Sequence, residues 1–164
     1  MGGRQGTGTE PTVVGWGEWV SLPEFGPVIL RAKMDTGATT SALHTFRIEP
    51  LQKEGREFVR FGVHPRQKQV DVEVFAEAEV RERRMVRDSG GHDEERYVVE
   101  VLLQIGAVSR RVEVTLTDRE NMQFRMLVGR SALGGFLVDP TRRSLLGTRR
   151  KMITLYRGRG EESE

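Results

Sequence analysis

A chain of 164 residues without a single cysteine has room for one domain with its own core, too little for a duplicated two-lobed enzyme, and no disulfides, thiol nucleophiles or thiolate metal sites. Its 26 basic and 24 acidic residues leave a net charge of +2, which lacks the one-signed excess of a nucleic-acid-binding protein. No apolar run reaches the length of a membrane span and no signal segment is visible, so a cytoplasmic location with no membrane association is expected.

In chain order, residues 1–10 are glycine-rich and aperiodic and are expected to form a disordered tail, with a single domain over 11–156 and a second disordered tail over 157–164. Strand signals begin at Val13-Val14 and continue through 28–34, 58–63, 70–80, 97–105 and 111–116, rich in β-branched residues and often alternating. Within 70–80, Val70, Val72, Val74 and Ala76 share one face while Asp71, Glu73 and Glu77 share the other, as in a half-buried antiparallel sheet. Residues 70–87 and 96–105 read as a long hairpin around the polar stretch 88–95, where Gly90-Gly91 supplies the positive-φ positions of a reversal. Helical pattern is scarce: residues 129–135 predict one short helix, stopped by paired glycines. The expectation is an all-β fold.

Two segments carry chemistry. In the first, residues 32–43, an apolar strand runs into Asp35-Thr36-Gly37-Ala38, and small or hydroxyl residues through Ser41 follow. The second, Met126-Leu127-Val128-Gly129-Arg130-Ser131-Ala132-Leu133, sets apolar residues and a glycine before the short helix. Together with the opening 15–26, the 60–65 segment, the 86–96 stretch and 136–147, these residues resemble the retropepsin-like aspartic peptidases. The match is closer still to a bacterial family once labelled ATP-dependent zinc proteases and found alongside ligases that add glutamates to a small-subunit ribosomal protein. The resemblance covers about residues 13–147. It implies a retropepsin-like closed barrel, the acid-protease fold, with one short helix near 129–134. Thr39 departs from the family pattern, where a basic or other polar residue is frequent, so no substrate contact is assigned to it.

Amide hydrolysis by carboxylates requires one ionised group to activate water and one protonated group to donate to the carbonyl oxygen. Two adjacent carboxylates share one proton because both cannot ionise, and one usable Asp per chain is half of such a site. A homodimer is therefore expected, with Asp35 as the catalytic residue, Thr36 buttressing the loop through its hydroxyl, Gly37 and Ala38 permitting close approach of substrate, and Leu127, Val128 and Gly129 supporting the loops from beneath. Asp88-Ser89-Gly90 also fits the tripeptide pattern, but its flanks are charged and it lies too soon after Asp35 for a second lobe. Ser89, Gly90 and Gly91 are better read as the tip of a flap over the cleft.

No cofactor or metal is expected. His44, His64 and His92 lack metal-ligand spacing, and no phosphate-binding glycine motif is present. Among the basic residues only Lys33, Lys53, Lys68 and Lys151 are lysines, and the rest are arginines, the planar bidentate partners of carboxylates and phosphates. Lys33, by strand spacing from Asp35, and Arg84, Arg87 and Arg96, around the hairpin, are expected to bind an acidic substrate, and the resemblance implies a glutamate-tailed peptide such as that of a ribosomal protein. The expected function is aspartic endopeptidase. Rival readings are a non-catalytic module of the same fold that grips acidic peptides, and an RNA- or ribosome-binding protein using the Arg110-Arg111, Arg142-Arg143 and Arg149-Arg150 pairs.

Overall fold

The computed structural model describes residues 10–26, 28–66, 72–87, 90–118 and 123–161. They are mostly β: β1 (Thr12–Gly15), β2 (Gly17–Ser21), β3 (Ile29–Met34), β4 (Ser41–His44), β5 (Arg47–Lys53), β6 (Arg56–Val63), β7 (Val74–Glu79), β8 (Glu82–Arg87), β9 (Asp93–Ile105), β10 (Val108–Thr117), β11 (Met126–Val128) and β12 (Phe136–Asp139). A 3-10 turn at Pro23–Phe25 follows β2, a second at Arg130–Ala132 follows β11, and the helix α1 occupies Arg149–Glu161.

Six strands pair in a ring, β10 to β4, β11, β3, β2 and β9, with β9 pairing back onto β10. Alternation places one side of each strand inside this ring. Leu30, Ala32 and Met34 of β3, Val99, Val101 and Leu103 of β9, Val112, Val114 and Leu116 of β10, and Met126 and Val128 of β11 form the core together with Leu43. The opposite side carries a row that register puts side by side: Thr115, Ala42, Leu127, Lys33 and Gly17. β10 runs parallel to β4, and β11 parallel to β3, so the ends of β3 and β11 reach the same end of the ring.

The pattern expected as one strand over 70–87 is two strands in two sheets. β7 pairs with β6 in a three-stranded sheet ordered β5-β6-β7, whereas β8 pairs with β9. The exchange occurs at successive amides: Val80 N–H donates to the Glu57 carbonyl at 2.9 Å, and Arg81 N–H donates to the Val98 carbonyl at 2.8 Å. Residues 67–71, including Val70 and Asp71 of the expected alternation, lie outside the described residues, as do Asp88 and Ser89, the latter expected as part of a flap tip. The hairpin itself is present, Arg87 opposite Asp93 and Arg84 opposite Arg96, with Gly91 at φ 81° in the turn. β9 enters at Asp93, three residues before the expected 96, because its first residues pair with β8.

The expected short helix is the 3-10 turn at Arg130–Ala132, and a larger helix accompanies it. α1 starts behind Thr148, whose hydroxyl accepts the Lys151 amide at 3.3 Å, and it extends into residues 157–161, expected as tail. Its Met152 and Tyr156 pack on Ile29, with Trp19 beside them. The Tyr156 hydroxyl donates to the Trp19 carbonyl at 2.7 Å and accepts the Gly106 amide at 3.1 Å, which fastens the helix to β2 and to the β9–β10 turn. Arg149, over the Trp19 ring, has its guanidinium pKa lowered by burial and by the like charges of Arg66 and Arg157. The segment before α1 is held by Glu18, 1% exposed, whose carboxylate accepts the amides of Gly15 at 2.7 Å, Leu145 at 2.9 Å and Leu146 at 3.1 Å.

Among the described residues, no helix is long and apolar enough to cross a membrane.

Candidate active site

Asp35 stands where β3 ends. Its amide donates to the Val128 carbonyl at 2.8 Å, continuing the β3–β11 ladder by one residue, and its carbonyl accepts the Ala38 amide at 3.3 Å to close a turn. Within that turn Asp35 Oδ1 accepts the Gly37 amide at 3.0 Å, the local side-chain bond that short acidic residues favour in turns. The carboxylate is thereby oriented by its own loop. Thr36 and Gly37 are exposed beside it.

The loop is pinned from the residues after β11. Arg130 and Ser131 amides donate to the carbonyls of Ala38 (2.8 Å) and Thr39 (3.0 Å). Gly129 donates to Ser41 Oγ at 3.0 Å, and Thr115 Oγ1 reaches the Ser41 carbonyl at 3.4 Å. The Arg130 guanidinium spans the loop, Nη1 to the Thr36 carbonyl and Nη2 to Thr39 Oγ1, both at 2.9 Å. Of the three residues expected beneath the loop, Val128 and Gly129 hydrogen-bond to it through Asp35 and Ser41, whereas Leu127 lines a cleft. Thr36 contributes its carbonyl; its exposed hydroxyl has no hydrogen bond among the described residues, contrary to the expected buttress. Arg130, Thr39 and Ser41 were given no role in the site from the sequence. A signal existed for Arg130, which directly follows the glycine of the second motif.

The cleft, of about 410 Å³, lies between this loop and the β8–β9 hairpin. Ala38, Thr40, Ala42, Thr115 and Leu127 form one wall, and Arg84, Met85, Val86, Arg87 and Arg96 form the other. Of the expected substrate-binding residues, the structure brings together Ala38, Arg84, Arg87 and Arg96. Lys33 is exposed on β3 next to Leu127, just outside the cleft lining. Asp35 likewise stands outside the lining, joined to it through Ala38.

The arginines differ in what holds them. Arg84 donates to Thr40 Oγ1 at 3.2 Å, pairs with Glu82, and lies 3.6 Å from Glu113. Arg87 faces solvent and meets Asp93 at 3.2 Å. Arg96, with its side chain 15% exposed, meets Glu94 at 3.3 Å.

The histidines lie elsewhere. His44 Nδ1 is 2.9 Å from Thr117 Oγ1, and His64 stacks on Phe46 with centroids 4.0 Å apart. Among the described residues no three His, Asp or Glu side chains converge in a way that would hold a metal ion.

The site thus combines a ring of mostly antiparallel strands with an Asp-Thr-Gly turn at one end and a hairpin beside it. Residues 13–149 match the RimB-like family, described as retropepsin-like aspartic endopeptidase RimB, and the chain belongs to that family. It is 42% identical over 144 residues to a probable alpha-L-glutamate ligase of Parasynechococcus marenigrum, covering 87% of this chain and 31% of that protein. It is 38% identical over 136 residues to the equivalently named protein of Shewanella pealeana, covering 82% and 30%. The chain thus spans about a third of the length of the curated relatives it matches. Among solved structures it is similar to a Legionella pneumophila protein of unknown function (DUF785), at a TM-score of 0.69 and 27% identity, covering 82% of this chain and 98% of that one.

Proposed function

We propose that two copies of this chain form an aspartic endopeptidase, each contributing Asp35 to a shared dyad, and that the six-stranded ring is the closed barrel of the acid-protease fold. The observation that carries the reading is the fixed Asp35-Thr36-Gly37 turn, pinned from Arg130 and opening beside a cleft under a hairpin. One ionised Asp35 carboxylate takes a proton from water as the water oxygen bonds to the scissile carbonyl carbon. The partner's protonated Asp35 donates to the carbonyl oxygen. The tetrahedral diol then collapses: the first Asp35 gives its proton to the leaving nitrogen, the partner's Asp35 takes one back from a diol hydroxyl, and the C–N bond breaks to leave acid and amine. Val13 and Leu137, in register on β1 and β12 and about half exposed, offer apolar surface to the second copy.

The substrate we assign is an acidic or glutamate-rich peptide segment in the cytoplasm, such as the glutamate tail of a ribosomal protein. Two things support it: arginines line the cleft, and the matched relatives named glutamate ligases carry this same domain within much longer chains. Those names also favour a second reading, a module that holds acidic peptides for a ligase without cutting them.

One experiment separates the two. A glutamate-tailed peptide is incubated with the parent chain and with Asp35→Asn, and the products are read by mass spectrometry. Cleavage by the parent, reduced by about a hundred- to ten-thousandfold in the variant, supports the dyad. Binding by both without cleavage by either supports the module, and full activity from a strictly monomeric species sinks the shared site.

A further inference from the structure

Resting on the acidic-peptide reading above, we propose that a single arginine, Arg96, receives the substrate carboxylate, and that it is selective for a glutamate side chain. Three guanidiniums line the cleft, and the contacts each already makes separate their roles. Arg87 has a side chain 73% exposed and is paired with Asp93 in solvent, where an ion pair contributes little and geometry is loose. Arg84 is spent: Thr40, Glu82 and Glu113 surround its fork, and its bond to Thr40 straps the hairpin to the Asp35 loop.

Arg96 is the exception. It sits directly opposite Arg84 in the β8–β9 register, with its side chain mostly covered. Its one hydrogen bond among the described residues is from Nε to Glu94 at 3.3 Å, so the end of the guanidinium carrying both Nη groups has no protein acceptor there. Donors that open to the cleft are available to a ligand acceptor, and like charges facing each other across a strand pair are unfavourable. A carboxylate received by the Arg96 fork offsets the like charge of Arg84 opposite it, and its two oxygens match the spacing of the open fork. The opposite wall is formed by the aliphatic surfaces of Ala38, Ala42 and Leu127, suited to the methylenes that carry a glutamate carboxylate. Glu94 holds Arg96 through Nε, which leaves the fork itself to the ligand.

The test uses the full chain with Asp35→Asn to block turnover, and two peptides that differ only by Glu or Gln throughout an otherwise identical tail. Binding is measured by titration calorimetry. The Glu peptide is expected to bind about ten- to a hundredfold more tightly than the Gln peptide. Adding Arg96→Gln collapses that ratio towards one while leaving Gln-peptide affinity within about twofold, whereas Arg87→Gln leaves the ratio unchanged. Arg96→Lys, which keeps the charge and loses the fork, retains only part of the ratio and stands in if the glutamine variant does not fold. A ratio that survives Arg96→Gln in a folded protein overturns the assignment, as does a ratio abolished by Arg87→Gln. If Arg96 governs the ratio but the parent chain cuts neither peptide, hydrolysis fails and the carboxylate site stands.

Discussion

Gly129 and Thr40 approach so closely that a Cβ on Gly129 would lie 2.7 Å from the Thr40 carbonyl carbon and 2.8 Å from the Thr39 carbonyl oxygen. Backbone fills that space on both sides, so neither partner yields by a side-chain rotation. Gly129→Ala is expected to destabilise the fold by about 1–3 kcal/mol as an overpacking substitution. It should also displace the Asp35 turn, because Ser131 and Arg130 grip the same loop. Thermal unfolding and the cleavage rate on a glutamate-tailed peptide check this together; a fully active variant with an unshifted Tm would count against the rigid contact.

Arg130 bridges Thr36 and Thr39 with two nitrogens of one plane, which a lysine ammonium does not reproduce. Arg130→Met should lower kcat by about tenfold or more, with KM little changed, because the residue positions the loop without lining the cleft. Arg130→Lys should recover little of the loss. Equal loss in KM and none in kcat would mean that the residue acts on substrate directly.

Glu18 is a buried acceptor for three amides from two separate segments. Glu18→Ala strands those donors and should remove about 3 kcal/mol or more of stability, while Glu18→Gln keeps one acceptor oxygen and should lose less. Urea unfolding of both variants measures the order, and equal losses would show that packing volume, not hydrogen bonding, dominates there.

The Glu100 carboxyl pKa is held below its ordinary value by its hydrogen bond from Arg111, against burial, with further help from the charges of Arg81 and Arg111. A carboxyl lowered in the folded state contributes stability that is present above its unfolded pKa and is lost as the pH falls through the folded one. Glu100→Gln should therefore lower Tm slightly at neutral pH and flatten the acid arm of the Tm–pH curve below about pH 4.5, so that variant and parent converge in acid. A variant whose acid arm matches the parent's removes this pair from the acid response.

The Asp35 loop and its support were legible in the sequence because the information is local: an apolar strand, a tripeptide turn and a glycine before a short turn. The β8–β9 hairpin was legible for the same reason, through Gly90-Gly91. The division between β7 and β8 was not, since the polar alternation runs unbroken across Val80-Arg81. Glu57 and Val98, distant in sequence, decide which sheet each side joins. β5 was hidden by Pro50, tolerated because β5 is an edge strand where a missing N–H removes nothing from an inner ladder. α1 was masked by its arginines and glycines, although Met152 and Tyr156 have helical spacing. The sequence placed three arginines near the cleft, but which of them has an occupied fork depends on Glu113 and Thr40, brought in by other strands.

β9 belongs to two structures at once. Its residues from Val98 to Ile105 are bound along β10, its residues from Asp93 to Val98 are bound along β8, and the two ladders overlap only at Val98. Mechanically, this makes the hairpin a cantilever whose backbone is rooted at one residue and whose side is strapped by Arg84 to Thr40. Any swing of its free end is bending of a continuous strand at Val98, so the stiffness of the arm is set at that root, and a change at the turn alters what the arm touches more than how easily it moves.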